Sequence, residues 1–145
     1  MHPKLKKSRG FTLIEVLIAV LILSIGLLSL ALTQANSMRN THSSYLRTQA
    51  TFLADDILDS IRANRPVAEA GGYDIAVGVA PSTGPSVVES DLSAWKDNLA
   101  NMLPAGDGSI VRDGATGEFT VTVQWRDRDD ATADPPTQFP VSTIP

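Results

Sequence analysis

One acid stands inside an otherwise apolar run. From Phe11 to Leu32 the chain reads FTLIEVLIAVLILSIGLLSLAL, and Glu15 carries its only charge. A carboxylate is costly in hydrocarbon, so it needs a cationic partner or a route to water and marks a functional position by default. Just upstream lie Lys4, Lys6, Lys7 and Arg9, then Gly10 and Phe11. The Gly10–Phe11 bond joins a residue without a side chain to a large aromatic, which leaves the backbone open on one side. Elsewhere the reactive residue types are scattered. His2 lies in the basic segment and His42 on a polar stretch. No Ser-His-Asp arrangement or His-rich metal site is indicated. Asp107-Gly108 and Asp113-Gly114 are superficially similar to a calcium loop but lack the terminal glutamate of an EF-hand, and hairpin turns account for them more simply. Asp127, Asp129 and Asp130 form another acidic cluster, read as a solvated loop with calcium as the lesser alternative. The expectation is therefore no catalytic constellation, no metal and no cofactor: a protein that is not an enzyme.

The element that carries Glu15 is long. Twenty-two residues make roughly 33 Å of α-helix, the thickness of a bilayer's hydrocarbon core. A secretory signal peptide has an apolar stretch of only about 7–15 residues, with the cut after it. A lipoprotein needs a cysteine to acylate, and the chain has none. A plain single-pass anchor fits every residue except Glu15. The basic residues on the N-terminal flank place that end in the cytoplasm and the bulk of the chain across the membrane, by the positive-inside rule. With 145 residues, 43% hydrophobic and 19% charged, the chain allows one ordinary domain beside the anchor. Its net charge of −4 hides an asymmetry: four of the twelve basic side chains precede Phe11, and all sixteen acids follow it. From Phe11 on the chain is distinctly acidic, which argues against direct nucleic-acid binding.

The junction KLKKSRG/FTLIEV followed by the apolar run resembles the class III signal sequence of type IV pilins and of the pseudopilins of type II secretion. The resemblance implies a prepilin peptidase that cuts after Gly10 and N-methylates Phe11. It also implies a filament whose core is built from the apolar helices, with Glu15 pairing with a Phe11 amine during assembly. A second segment, LADDILDSIRANRPVAEAGGY over residues 53–73, is similar to minor pilins of the PilV type, with Ile61, Arg62, Ala63 and Asn64 matching in order. Many major pilins clamp their C-terminal region with a disulfide; the lack of cysteine favours a minor pilin or pseudopilin. The implied partners are the prepilin peptidase, other minor pilins, the major pilin and the pilus assembly machinery at the inner membrane. The alternatives are a minor pseudopilin of type II secretion and an uncleaved, membrane-anchored binding module.

The expected fold is α+β and pilin-like: a long N-terminal helix packed on a small antiparallel sheet. Four segments are read: a basic leader over 1–10, an apolar half-helix over 11–32, an amphipathic half over 33–64 and a small globular domain over 65–145. No proline falls between Pro3 and Pro66, and Gly26 is the only glycine between Gly10 and Pro66, so one helix should run from Phe11 to Ala63 with Gly26 as the place for any bend. Leu46, Ala50, Leu53, Ala54, Ile57, Leu58 and Ile61 mark one face of its second half. Arg47, Asp55, Asp59 and Arg62 lie opposite and read as solvated. Asn64 reads as a left-handed cap and Pro66 as a stop. Residues 73–79 are read as a short strand. A helix capped by Ser90 or Asp91 should carry Leu92, Trp95 and Leu99 on one face, with Trp95 as a packing anchor, and should end at Pro104 and Gly106. Strands are expected at 109–112, 118–126 and 138–144, the last held to an edge by Pro140.

Overall fold

The computed structural model describes residues 10–126 and 135–144. Helix α1 (Leu13–Ala63) is a single run of 51 residues. It carries Glu15 in its first turn and Arg62 in its last, each at the end where the helix dipole favours its sign. Ser24, Ser29 and Thr33 donate their hydroxyls to the carbonyls of Val20, Ile25 and Ser29, four residues back. Such back-bonding satisfies the polar groups of the apolar half within the helix itself. The helix runs unbroken through Gly26. By its contacts the chain divides into a first unit ending at Thr41 and a second beginning at His42.

In the first unit every Leu, Ile and Val from Leu13 to Leu32 is exposed, from 51% at Val16 to 87% at Leu13. The helix is long and apolar enough to cross a membrane, as expected from the run itself.

The second unit is built on the stripe of α1. All seven expected positions, Leu46 to Ile61, are buried. They pack with α3 (Val87–Met102) and a three-stranded antiparallel sheet of β1 (Asp107–Arg112), β2 (Phe119–Trp125) and β3 (Thr137–Thr143), in that order. In β2, Phe119, Val121, Val123 and Trp125 are buried while the residues between them are not, the period-two pattern of a sheet with one covered face. The register opposes Ile110 to Val121 in β1 and Val141 to Val121 in β3. Pro140 lies on the edge strand β3, opposite Thr122. The α+β architecture expected from the sequence is thus the one observed.

Five local expectations are corrected. Helix α3 begins at Val87, and its N-cap is Ser86, with Glu89 closing a capping box. Ser86 Oγ accepts from Glu89 N–H at 3.2 Å and the Glu89 carboxylate accepts from Ser86 N–H at 3.2 Å, a better start signal than Ser90 or Asp91 offers. Pro66 does not stop the helical region but opens a second short helix, α2 (Arg65–Glu69), whose first turn needs no proline N–H. Asn64 has φ −118°, so it is not the left-handed cap; Gly71, with φ +84°, takes that backbone two residues after α2. Residues 73–79 contribute only an isolated bridge from Ile75 to Ile110. Finally, Asp107-Gly108 lies within β1 rather than in a turn. A side chain on Gly108 would strike the Trp95 ring, so glycine is what lets the strand and α3 close together.

Candidate processing and assembly site

Thr12 stands one residue before α1 and receives its first hydrogen bonds. The N–H groups of Glu15 and Val16 donate to the Thr12 carbonyl at 3.1 and 3.3 Å, and Glu15 N–H also lies 3.4 Å from Thr12 Oγ1. These are the contacts of an N-cap. They explain why the helix starts at Leu13 and not at Phe11 as expected. Gly10 and Phe11 stay outside helix and strand, and both are exposed, Phe11 by 84%. A Cβ on Gly10 would meet no heavy atom within 4 Å among the described residues. The described fold therefore places no demand for glycine there. Glu15 sits exposed on the first turn of α1, two residues into the helix. Phe11 lies outside the helix, so α1 does not fix the spacing between Phe11 and Glu15. Lys4, Lys6, Lys7 and Arg9 lie outside the described residues.

The second segment that carried the resemblance also closes on itself. Tyr73 is fully buried, and its hydroxyl donates to Asp91 Oδ2 at 2.7 Å. Asn64 Nδ2 lies 3.5 Å from the same hydroxyl, and the Ser60 carbonyl is at 3.5 Å. The end of α1 and the turn after α2 are thereby fixed to α3. Burial, then the hydrogen bond to Asp91, pushes the Tyr73 phenol up to about 12.

The charged cluster that sequence reasoning missed lies between α3 and β1. Lys96 Nζ donates to Asp107 Oδ1 at 2.5 Å, to the Gly108 carbonyl at 2.7 Å and to the Ala76 carbonyl at 3.2 Å. Asp107 also accepts from the N–H groups of Gly78 and Gly108 at 2.6 and 2.7 Å. Burial alone would raise the Asp107 carboxyl; the Lys96 ammonium and the two backbone donors outweigh it and hold it below its ordinary range. Asp113 makes an Asx turn between β1 and β2, accepting from Ala115 N–H at 2.7 Å and Thr116 N–H at 3.4 Å; the Ala115 donor first, then the Thr116 hydroxyl and N–H, hold its carboxyl low as well. Both aspartates of the Asp-Gly pairs are thus engaged within the fold. Asp127, Asp129 and Asp130 lie outside the described residues. Among the described residues no group of three or more acidic, His or Cys side chains stands ready to hold a metal ion.

Residues 5–31 match the family model described as the prokaryotic N-terminal methylation motif. Among curated proteins and among solved structures nothing matches the chain. The motif brackets the Gly10–Phe11 junction, Thr12, Glu15 and most of the exposed apolar half-helix. It supports a prepilin-type substrate of the type IV pilin or pseudopilin class, which is a class of structural proteins, and together with the apolar helix it is consistent with anchoring in a membrane.

Proposed function

We propose that this chain is a minor pilin of a type IV pilus, of the PilV type, cut after Gly10 and N-methylated on Phe11 by a prepilin peptidase. The observation that carries the reading is the match over residues 5–31, which includes a junction that is exposed and outside regular structure. Before cleavage the leader over 1–10 holds the N-terminus in the cytoplasm and the apolar half over 11–32 crosses the inner membrane, with the rest in the periplasm. After cleavage the same half-helix leaves the lipid and packs among the helices of neighbouring minor and major pilins. The uncovered side chains from Leu13 to Leu32 need such cover in either setting. The amphipathic half over 33–64 and the domain over 65–145 face outward and give the subunit its contacts with other minor pilins.

Glu15 is the assembly determinant in this reading. Cleavage creates a cationic amine on Phe11, and the carboxylate of Glu15 is its partner. The pair could form within one subunit or between neighbours, and the resemblance to pilins favours the amine of an adjacent subunit. The similarity of residues 53–73 to PilV-type minor pilins favours the pilus over the type II secretion pseudopilus, which the same N-terminal motif also fits. The test is mass spectrometry of the N-terminus after expression with and without a prepilin peptidase. The expected product begins at a methylated Phe11, and Gly10→Val leaves the precursor uncut. A wild-type chain that still begins at Met1 beside an active peptidase overturns the reading in favour of a plain anchor.

A further inference from the structure

We propose that Thr12 is a positioning residue for the cleavage: it ends α1 short of the Gly10–Phe11 bond and so presents that bond in open backbone. The inference rests on the processing reading above. Hydrolysis adds the water's hydroxyl to the Gly10 carbonyl carbon and its proton to the Phe11 nitrogen, so the attacked carbonyl must be reachable. In a helix that began one turn earlier, the Gly10 carbonyl would be turned along the axis and hydrogen-bonded to the N–H of Ile14.

Little else in the sequence prevents that extension. There is no proline between Pro3 and Pro66. Phe11 and Leu13 carry no side-chain acceptor that could compete for backbone N–H groups. Gly10 disfavours helix, but it is itself half of the bond in question. What the structure places at the boundary is Thr12. Its carbonyl takes the N–H groups of Glu15 and Val16, and its Oγ1 stands 3.4 Å from Glu15 N–H. Among the described residues no hydrogen bond reaches the carbonyl of Gly10 or Phe11. Glu15 stands three residues after Thr12, the spacing of a capping-box acid, so an anionic side chain favours the same boundary.

The experiment uses the full chain in membranes with a prepilin peptidase and follows loss of the leader by mass. Thr12→Val keeps the branched shape and removes the hydroxyl; Thr12→Ala removes both. Thr12→Ser and Thr12→Asn keep a capping oxygen in two different shapes. The Ser and Asn variants are expected to be cut within about twofold of wild type, and the Val and Ala variants more slowly than both, at most about fivefold below wild type, the full size of a lost cap. The loss should fall on KM with kcat kept, because the peptidase takes only the fraction of precursor in which the bond is open. Val and Ala variants cut at the wild-type rate overturn the inference. So does an Asn variant as slow as Val, which would mean that the peptidase reads the threonine side chain itself, or a loss confined to kcat. A wild-type chain that is never cut removes the processing reading instead, and this inference with it.

Discussion

Glu15 and Lys96 illustrate two ways of keeping a charge in an apolar setting. Glu15 is exposed on a helix whose neighbours are all apolar, so its cost depends on what later covers that helix. At the membrane face, water and snorkelling reduce the penalty. Inside a bundle of helices an unpaired carboxylate costs about 3–5 kcal/mol, enough to change association by orders of magnitude. Glu15→Val should therefore insert normally and still be cut yet fail to enter the assembly complex, and Glu15→Asp should be partly defective. Co-purification with other minor pilins and counts of surface pili measure this; normal incorporation of Glu15→Val would show that the acid is not an assembly determinant. Lys96 instead meets its partner within the fold, with side chains only 11% and 24% exposed for Lys96 and Asp107. Lys96→Met should cost about 2–3 kcal/mol, less than for a wholly buried pair because Asp107 keeps two backbone donors. The pair also sets a pH dependence. Asp107 has its folded pKa below the ordinary 3.8, so the folded state favours the ionised form. The resulting stability is present above pH 3.8 and is lost as pH falls through the lower, folded value. Urea midpoints of the detergent-solubilised chain at pH 7 and pH 3 should fall further for wild type than for Lys96→Met; equal falls would mean that the pair contributes nothing.

At the scale of elements, α3 depends on its start. Ser86 and Glu89 satisfy each other's backbone N–H groups, and Val88, Leu92, Trp95 and Leu99 then fall on the buried face. Ser86→Ala should lower stability by about 1 kcal/mol, read as a shift in the urea midpoint without a change in slope. Ser90→Ala, at the position that the sequence pattern favoured, should be nearly silent. The contrast shows what periodicity conveys and what it does not. The stripe on α1 and the alternation in β2 were legible because one face of each meets the core, so burial imposes the period directly. The edge position of Pro140 was legible because a strand with one neighbour can spare an N–H. The start of α3 was not, because Ser86-Val87-Val88 follows a Gly/Pro-rich stretch and reads as its continuation. Helix α2 was hidden because proline serves equally at the end of one helix and in the first turn of the next. Trp95 was identified as a packing anchor, but its indole N–H donating at 2.9 Å to the Leu53 carbonyl, across 42 residues of sequence, has no local signature. Nor does the Lys96–Asp107 pair: on α3 Lys96 reads as one more solvated charge. At the candidate site, Gly10, Phe11 and Glu15 stood out by residue type, whereas Thr12 passed unmarked within the apolar run although the Thr-x-x-Glu spacing could have revealed it.

For the whole molecule, the division of labour along the chain follows from where the buried side chains come from. The core begins at Leu46 and draws on α1, α2, α3 and the sheet; no residue from Gly10 to Tyr45 belongs to it. Among the described residues the first unit is the reverse, with every large apolar side chain uncovered. Hydrophobic stabilisation scales with area removed from water, so the two parts have different sources of stability: the second unit its own core, the first whatever lipid or protein surrounds it. The core is modest, and Phe139 and Val141 of β3 are only partly covered. Removing residues 1–36 should nevertheless leave every core residue and every hydrogen bond of the Lys96 and Tyr73 clusters in place. The remaining chain is expected to be soluble and to unfold in one cooperative urea transition, with fraying confined to the first turns of the shortened helix. Circular dichroism and size-exclusion chromatography test this, and amide exchange should show slow protons beginning near Leu46. A truncated chain that is unfolded at neutral pH in several buffers would show that the domain draws its stability from the apolar half or from a neighbouring subunit, and that the boundary near His42 is geometric only.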